Sequence, residues 1–191
     1  MNIKKGDAGY LSSKKKRAIL KTVLEFGIVA ALIILGITQT GDRMNWLTLV
    51  AVLGCLPASK ALVEVIMVCP HKSIAKEKAE EISKKADLLT VAYDLVLTSE
   101  KHIMPVEAVV ISKNTICGFS SSTKMDYNFT AKHMKQMLVN NHLGNVTVKI
   151  FDNYTAFITR AEGLQNIAAV EKLDTKEHEE KIKRVLLNIS L

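Results

Sequence analysis

The sequence predicts an α+β protein in two parts, an N-terminal two-helix transmembrane hairpin followed by a cytoplasmic α-β-β-β-α-β-β-α domain. Three observations predict it. Two apolar runs long enough to span a bilayer lie between residues 19 and 68, and the cationic residues gather on one side of them. From residue 71 onward, stretches rich in β-branched residues alternate with amphipathic ones.

The composition agrees with this segregation. The chain has 191 residues, 48% hydrophobic and 24% charged, and a mean hydropathy of +0.15 beside that much charge requires the apolar residues to be clustered. Disordered and collagenous classes are excluded, as is a large multidomain enzyme. The formal net charge of +7 is concentrated at one end. Residues 1–18, a basic cytoplasmic tail, hold Lys4, Lys5, Lys14, Lys15, Lys16 and Arg17 against Asp7 alone. Cys55, Cys69 and Cys117 make neither a CxxC pair nor a zinc set, so a reducing compartment is expected.

The hairpin occupies residues 19–69, with helices over about 19–39 and 46–68. Ile19–Thr38 is about 20 residues, or roughly 30 Å of helix, the thickness of a hydrocarbon core. Trp46–Val68 is also long enough, with Trp46 suited to an interface and Pro57 tolerable inside a membrane helix. The first run also has the form of a signal peptide but lacks an A-x-A site. Val52-Leu53-Gly54-Cys55 resembles a lipoprotein cleavage box only faintly, deep in the second run. Lys14–Arg17 precede the first helix, His71 and Lys72 follow the second, and Arg43 in the loop is balanced by Asp42. A multi-pass protein of a bacterial plasma membrane with both termini cytoplasmic follows, so the sequons at Asn128, Asn145, Asn153 and Asn188 read as chance.

Charges inside the spans need an account, because one at bilayer centre costs about 2.5–3.5 kcal/mol. Glu25 lies 14 residues before Gln39 and Lys60 lies 14 after Trp46, so both fall about 21 Å from the loop and an intramembrane Glu25–Lys60 ion pair is expected. The plainer reading is that each snorkels to the interface.

In the domain 71–191, Ser73 is placed to cap a helix over 74–86 with Ala75, Ala79, Ile82 and Ala86 on one face. Leu88–Thr98, Val106–Ser112 and Thr115–Phe119 read as consecutive antiparallel strands. Phe129, Thr130 and Met134 are placed for a staple and N-cap opening a helix to about Asn141, ended by Gly144 and Asn145. Val146–Phe151 and Tyr154–Arg160 read as two strands joined by a hairpin at Asp152-Asn153. A short helix near Leu164–Leu173 follows. The last helix, about Thr175–Ile189, has Asp174 as N-cap, Glu177/Lys181 and Glu180/Arg184 pairs, and a stripe of Ile182, Val185, Leu186 and Ile189.

There is no P-loop, GxGxxG, GxSxG, HExxH or Asp-x-Asp. His71, His102, His133, His142 and His178 lack ligand spacing, and the paired lysines Lys84/Lys85 and Lys132/Lys135 read as solvated helix faces. The element order, with Val106-Glu107-Ala-Val-Val-Ile-Ser-Lys-Asn-Thr-Ile-Cys-Gly-Phe, resembles the NERD (nuclease-related) domain of the restriction-endonuclease-like superfamily over roughly residues 73–160. That family has an acid opening the second strand and a third strand ending in Glu-x-Lys. The resemblance puts Glu107 at the first acid. At the Glu-x-Lys positions stand Ser120 and Ser122, with Lys124 two residues late, and a hydroxyl does not supply the charge that holds Mg²⁺.

A noncatalytic, membrane-anchored interaction or sensing module on a degenerate nuclease-like scaffold is therefore expected, with no cofactor. A metal-dependent nuclease with a rearranged site is the alternative. It would use Glu107, Asp94 and Lys124, with Mg²⁺ or Mn²⁺ and a nucleic acid substrate. A further alternative is an accessory subunit of a membrane complex, packing against a protein partner or a second copy through Gly27, Ala30, Ala31 and Gly36 of the hairpin. Locally, Glu107 and Asp94 also read as ordinary strand residues, and Ser120–Ser122 as a loop.

Overall fold

The computed structural model describes residues 3–41, 45–99, 102–171 and 175–191, which divide into two compact units, 12–70 and 1–11 with 71–191. In the first unit, α1 (Tyr10–Thr40) and α2 (Trp46–Val68) are each long and apolar enough to cross a membrane. Helix α1 begins nine residues before the expected start, because Lys14–Arg17 are good helix formers. Ala18, Thr22 and Val29 of α1 and Ala51, Ala58, Ala61 and Val68 of α2 are buried, while leucines, isoleucines and valines point outward. This is the inverse of a water-soluble helix pair. A methyl group at Gly54 would meet Val29 Cγ2 at 3.3 Å. Gly36 faces Asn45 within the hairpin, whereas Gly27, Ala30 and Ala31 are exposed.

The expected Glu25–Lys60 pair is not among the ion pairs of the described residues. Glu25 sits 3.9 Å from Lys21 on its own helix, and Lys60 is exposed. Equal depth sets only height; the direction each side chain takes around its helix depends on the rotation of the pair.

The second unit is a four-stranded sheet in the order β1-β2-β3-β4, with β1 (Thr90–Thr98), β2 (Ile103–Ser112), β3 (Thr115–Phe119) and β4 (Thr147–Phe151). The first three strands form the expected antiparallel meander, and β4 runs parallel to β3. On one face α4 (Tyr127–Asn140) and α6 (Lys176–Asn188) bury Met134, Leu138, Ile182 and Leu186 against Val109, Ile111, Ile116 and Ile150. On the other, α3 (Lys76–Lys85) and α5 (Tyr154–Glu171) bury Ile82, Phe157, Ala161 and Leu164 against Ala108, Val110, Cys117 and Phe119.

The order is thus α-β-β-β-α-β-α-α, which corrects the expected second strand of a C-terminal hairpin. Tyr154–Arg160 is the first half of α5: Asn153 Oδ1 accepts from Thr155 N at 2.8 Å and Ala156 N at 3.3 Å, an N-cap. Phe157, Ile158, Ala161 and Leu164 then repeat at helical spacing, so the segment expected as a short helix at Leu164 is its continuation. Smaller differences have local causes. Helix α3 is capped at Ala75 without a side chain, and Ile74 rather than Ala75 is buried. Asp126 caps α4 by accepting from Phe129 N, while Thr130 lies inside the helix and donates to Asp126 O. His142, at φ 62°, turns the chain after α4 ahead of Gly144. In α6, Glu177 pairs with Lys181 at 2.7 Å, but Glu180 pairs with Lys183 at 3.7 Å. The Asp174 cap, Leu173 and the loop charges Asp42 and Arg43 lie outside the described residues.

Candidate functional site

The two candidate acids of the nuclease alternative, Asp94 and Glu107, face the same step of the β1–β2 ladder. The register pairs Tyr93 with Ala108 and Leu95 with Val106 and skips the step between. Here both strands change phase. Ala92 and Leu95 enter one core together, as do Val106 and Val109, which strict alternation forbids. Asp94 accomplishes the change with φ 56°, a left-handed conformation that aspartate tolerates better than most residues.

The two carboxylates do not converge. Asp94 is 5% exposed, and its Oδ1 accepts from Ile74 N at 2.9 Å while Oδ2 accepts from Leu11 N at 3.1 Å. It ties the first turn of α1 and the segment after α2 to the sheet, with one hydrogen bond on each oxygen. Glu107 points to the loop after β3, where its Oε1 accepts from Ser121 N at 3.0 Å and also from the Ser121 hydroxyl. Ser120 donates to Pro105 O at 2.6 Å and accepts from Ser122 N at 3.3 Å, and Ser122 O accepts from the Tyr127 hydroxyl at 2.9 Å. Lys124 is exposed on the turn that follows.

The fold therefore joins Glu107 to Ser120–Ser122, withdraws Asp94 and leaves Lys124 outside. Two groups that the sequence did not single out belong to this place, Tyr127 and Asp152. Burial first, and then the negative charges of Asp152 and Glu107, hold the Tyr127 phenol above its ordinary value. The sequence places Asp152 in a hairpin turn, whereas it stands at the carboxyl end of a parallel strand beside β3. Among the described residues no group of three or more His, Cys, Asp or Glu could hold a metal ion. With Glu107 bonded to Ser121 and hydroxyls at the other two positions, the donors do not fit a hard divalent cation.

A second concavity lies between β4 and α5, an open groove of about 810 Å³ lined in part by Lys149, Phe151, Thr155, Thr159 and Arg160. Lys149 Nζ stands 4.9 Å from the centre of the Phe151 ring. On the neighbouring strand burial pushes the Cys117 thiol up, opposed by the charge and hydrogen bond of Arg160 and by the charge of Lys149.

No family model, curated protein or solved structure matches this chain.

Proposed function

We propose that this protein is a noncatalytic interaction or sensing module anchored by its hairpin in a bacterial plasma membrane, with both termini and the α+β domain in the cytoplasm. The observation that carries the noncatalytic reading is the state of Glu107: the acid required by the nuclease resemblance is engaged by Ser121, between the two serines that replace Glu-x-Lys. The order of α3, the meander, α4 and β4 supports a nuclease-like scaffold. The even number of crossings is supported by residues 3–11, which fold with the C-terminal domain: Gly6 O accepts from Tyr93 N at 2.8 Å. The outward apolar faces of α1 and α2 support lipid as the surrounding medium.

The test uses the purified full chain with Mn²⁺ or Mg²⁺ and single- and double-stranded DNA and RNA. No cleavage is expected. Cleavage that Glu107→Ala abolishes would establish the rearranged nuclease instead, with Tyr127 and Asp152 as the groups to probe next. Resistance to alkaline extraction from native membranes is the expected behaviour of the anchor, and release into the supernatant contradicts it. Exposure of Gly27, Ala30 and Ala31 favours, as a second reading, a subunit whose hairpin packs against another membrane protein; a stoichiometric partner on purification is its mark.

A further inference from the structure

The two edges of the sheet are finished differently. Along β1, Tyr93 N donates to Gly6 O at 2.8 Å, Leu191 N donates to Val96 O at 2.9 Å, and Leu97 bridges Ser190, so both chain ends close that edge. Strand β4 has β3 on one side and no further strand among the described residues on the other. Thr147 N donates to Asn114 O at 2.8 Å and Phe151 O accepts from Ser120 N at 3.1 Å, so Thr147, Lys149 and Phe151 turn their backbone groups toward β3. In a parallel ladder the intervening residues then turn theirs outward, which leaves the N–H and C=O of Val148 and Ile150 at a free edge.

The groove described above runs beside this edge, on the α5 face. Its cations, Lys149 and Arg160, have no acid within 4.0 Å among the described residues. The nearby Glu162 is paired with Lys85 at 2.8 Å, and the charge of Asp152 acts at Tyr127. We propose that the free edge of β4 accepts an extended, acidic peptide segment as a fifth strand, its alternate carboxylates reaching Lys149 and Arg160. This deepens the reading of the domain as an interaction module, and rests on it.

Backbone pairing would supply the register, and the groove the side-chain selection, because every second residue of an added strand points to the α5 face. A second copy is a poor occupant. Antiparallel pairing of two β4 strands about Lys149 sets the lysines opposite one another, and like charges there are unfavourable. An edge lysine ordinarily discourages strand addition; an acidic partner turns that barrier into a selector. Nucleic acid would satisfy the cations but makes no use of the free N–H and C=O groups.

The test is fluorescence anisotropy with the full chain in nanodiscs and a labelled peptide of about eight residues alternating valine and glutamate. Saturable binding is expected, lowered at least about tenfold by Lys149→Glu with Arg160→Glu and by Val148→Pro. Proline at 148 removes an outward N–H and no donor of the β3 ladder, though it also replaces a valine side chain packed against the core. Wild-type ¹⁵N spectra guard against a misfolded proline variant: on adding the peptide the Val148 and Ile150 amides should become protected from exchange. Failure of the acidic peptide to bind, equal binding of an alternating valine–lysine peptide or of an oligonucleotide, or unprotected Val148 and Ile150 amides would each overturn the proposal. These failures are distinct from failure of the noncatalytic reading, which is cleavage lost in Glu107→Ala with peptide binding unchanged.

Discussion

Glu179 is the buried acid on which the turn between β2 and β3 depends. It is 3% exposed and accepts from Thr90 Oγ1 at 2.8 Å, Lys113 N at 2.9 Å and Thr175 Oγ1 at 2.8 Å, while Lys113 holds φ 51°. Charge-assisted bonds of this kind contribute about 1.5–3 kcal/mol, and removing the acceptor strands two hydroxyls and an amide. Glu179→Ala is therefore expected to lower stability by roughly 3 kcal/mol in urea unfolding, and Glu179→Gln by less. His71 offers a pH-dependent counterpart. Its Nε2 is buried without a hydrogen-bond partner, and burial holds its pKa below 6.5. A neutral ring in the fold and a protonated one in the unfolded chain mean that its contribution is present above pH 6.5 and lost as pH falls through the lower folded value. The other shifted groups titrate outside this window: Glu81 and Glu177 are held low by lysine partners, and Tyr93 is pushed up to about 12 by burial. The Tm should drop between about pH 7.5 and pH 5.5, and His71→Asn should flatten that drop; an unchanged slope would remove His71 as its cause.

Among the elements, α5 is where local pattern misleads. Tyr154-Thr-Ala-Phe-Ile-Thr is rich in β-branched and aromatic residues and follows a turn-like Asp-Asn pair, so it reads as strand. Asn153 overrides that preference by capping the helix, and Phe157, Ile158, Ala161 and Leu164 find a sheet face to bury against. Asn153→Ala should cost about 1 kcal/mol, measured as a shift in denaturation midpoint without a change in slope. The meander and α4, by contrast, were legible. Their β-branched apolar stretches are separated by clear turns, and each strand pairs with its neighbour in sequence, so local signals suffice despite the change of phase at Asp94. The candidate site was legible in part for the same reason: Glu107 and Ser120–Ser122 are brought together by one meander connection, whereas Asp152 arrives only through the parallel crossover.

In the whole molecule, the hairpin is inserted into the domain rather than appended to it. Residues 1–11 fold with 71–191, and Asp94 holds the backbone on both sides of the insertion, at Leu11 and Ile74. Of the basic tail expected over residues 1–18, residues 1–11 thus belong to the domain, whereas Lys14–Arg17 lie in α1. Deleting residues 1–9 should leave Tyr93 N without an acceptor and lower the Tm by roughly 5 °C, and Asp94→Ala should lower it by at least as much. An unchanged Tm in both variants would show that the N-terminal segment does not stabilise the sheet.

Hydrophobic length and period were sufficient to place two long apolar helices, a three-stranded meander and the helix that follows it, because these depend on contacts between near neighbours or on contact with solvent. Folding over long range set the rest. The role of Asp94 depends on partners 83 and 20 residues away, the strand preference of Tyr154–Arg160 yields to a cap and a buried face, and β4 lies at an edge because its crossover returns it beside β3. Such outcomes require segments distant in sequence to meet. No local pattern encodes which of them will supply a buried carboxylate with its hydrogen bonds or leave a strand edge open.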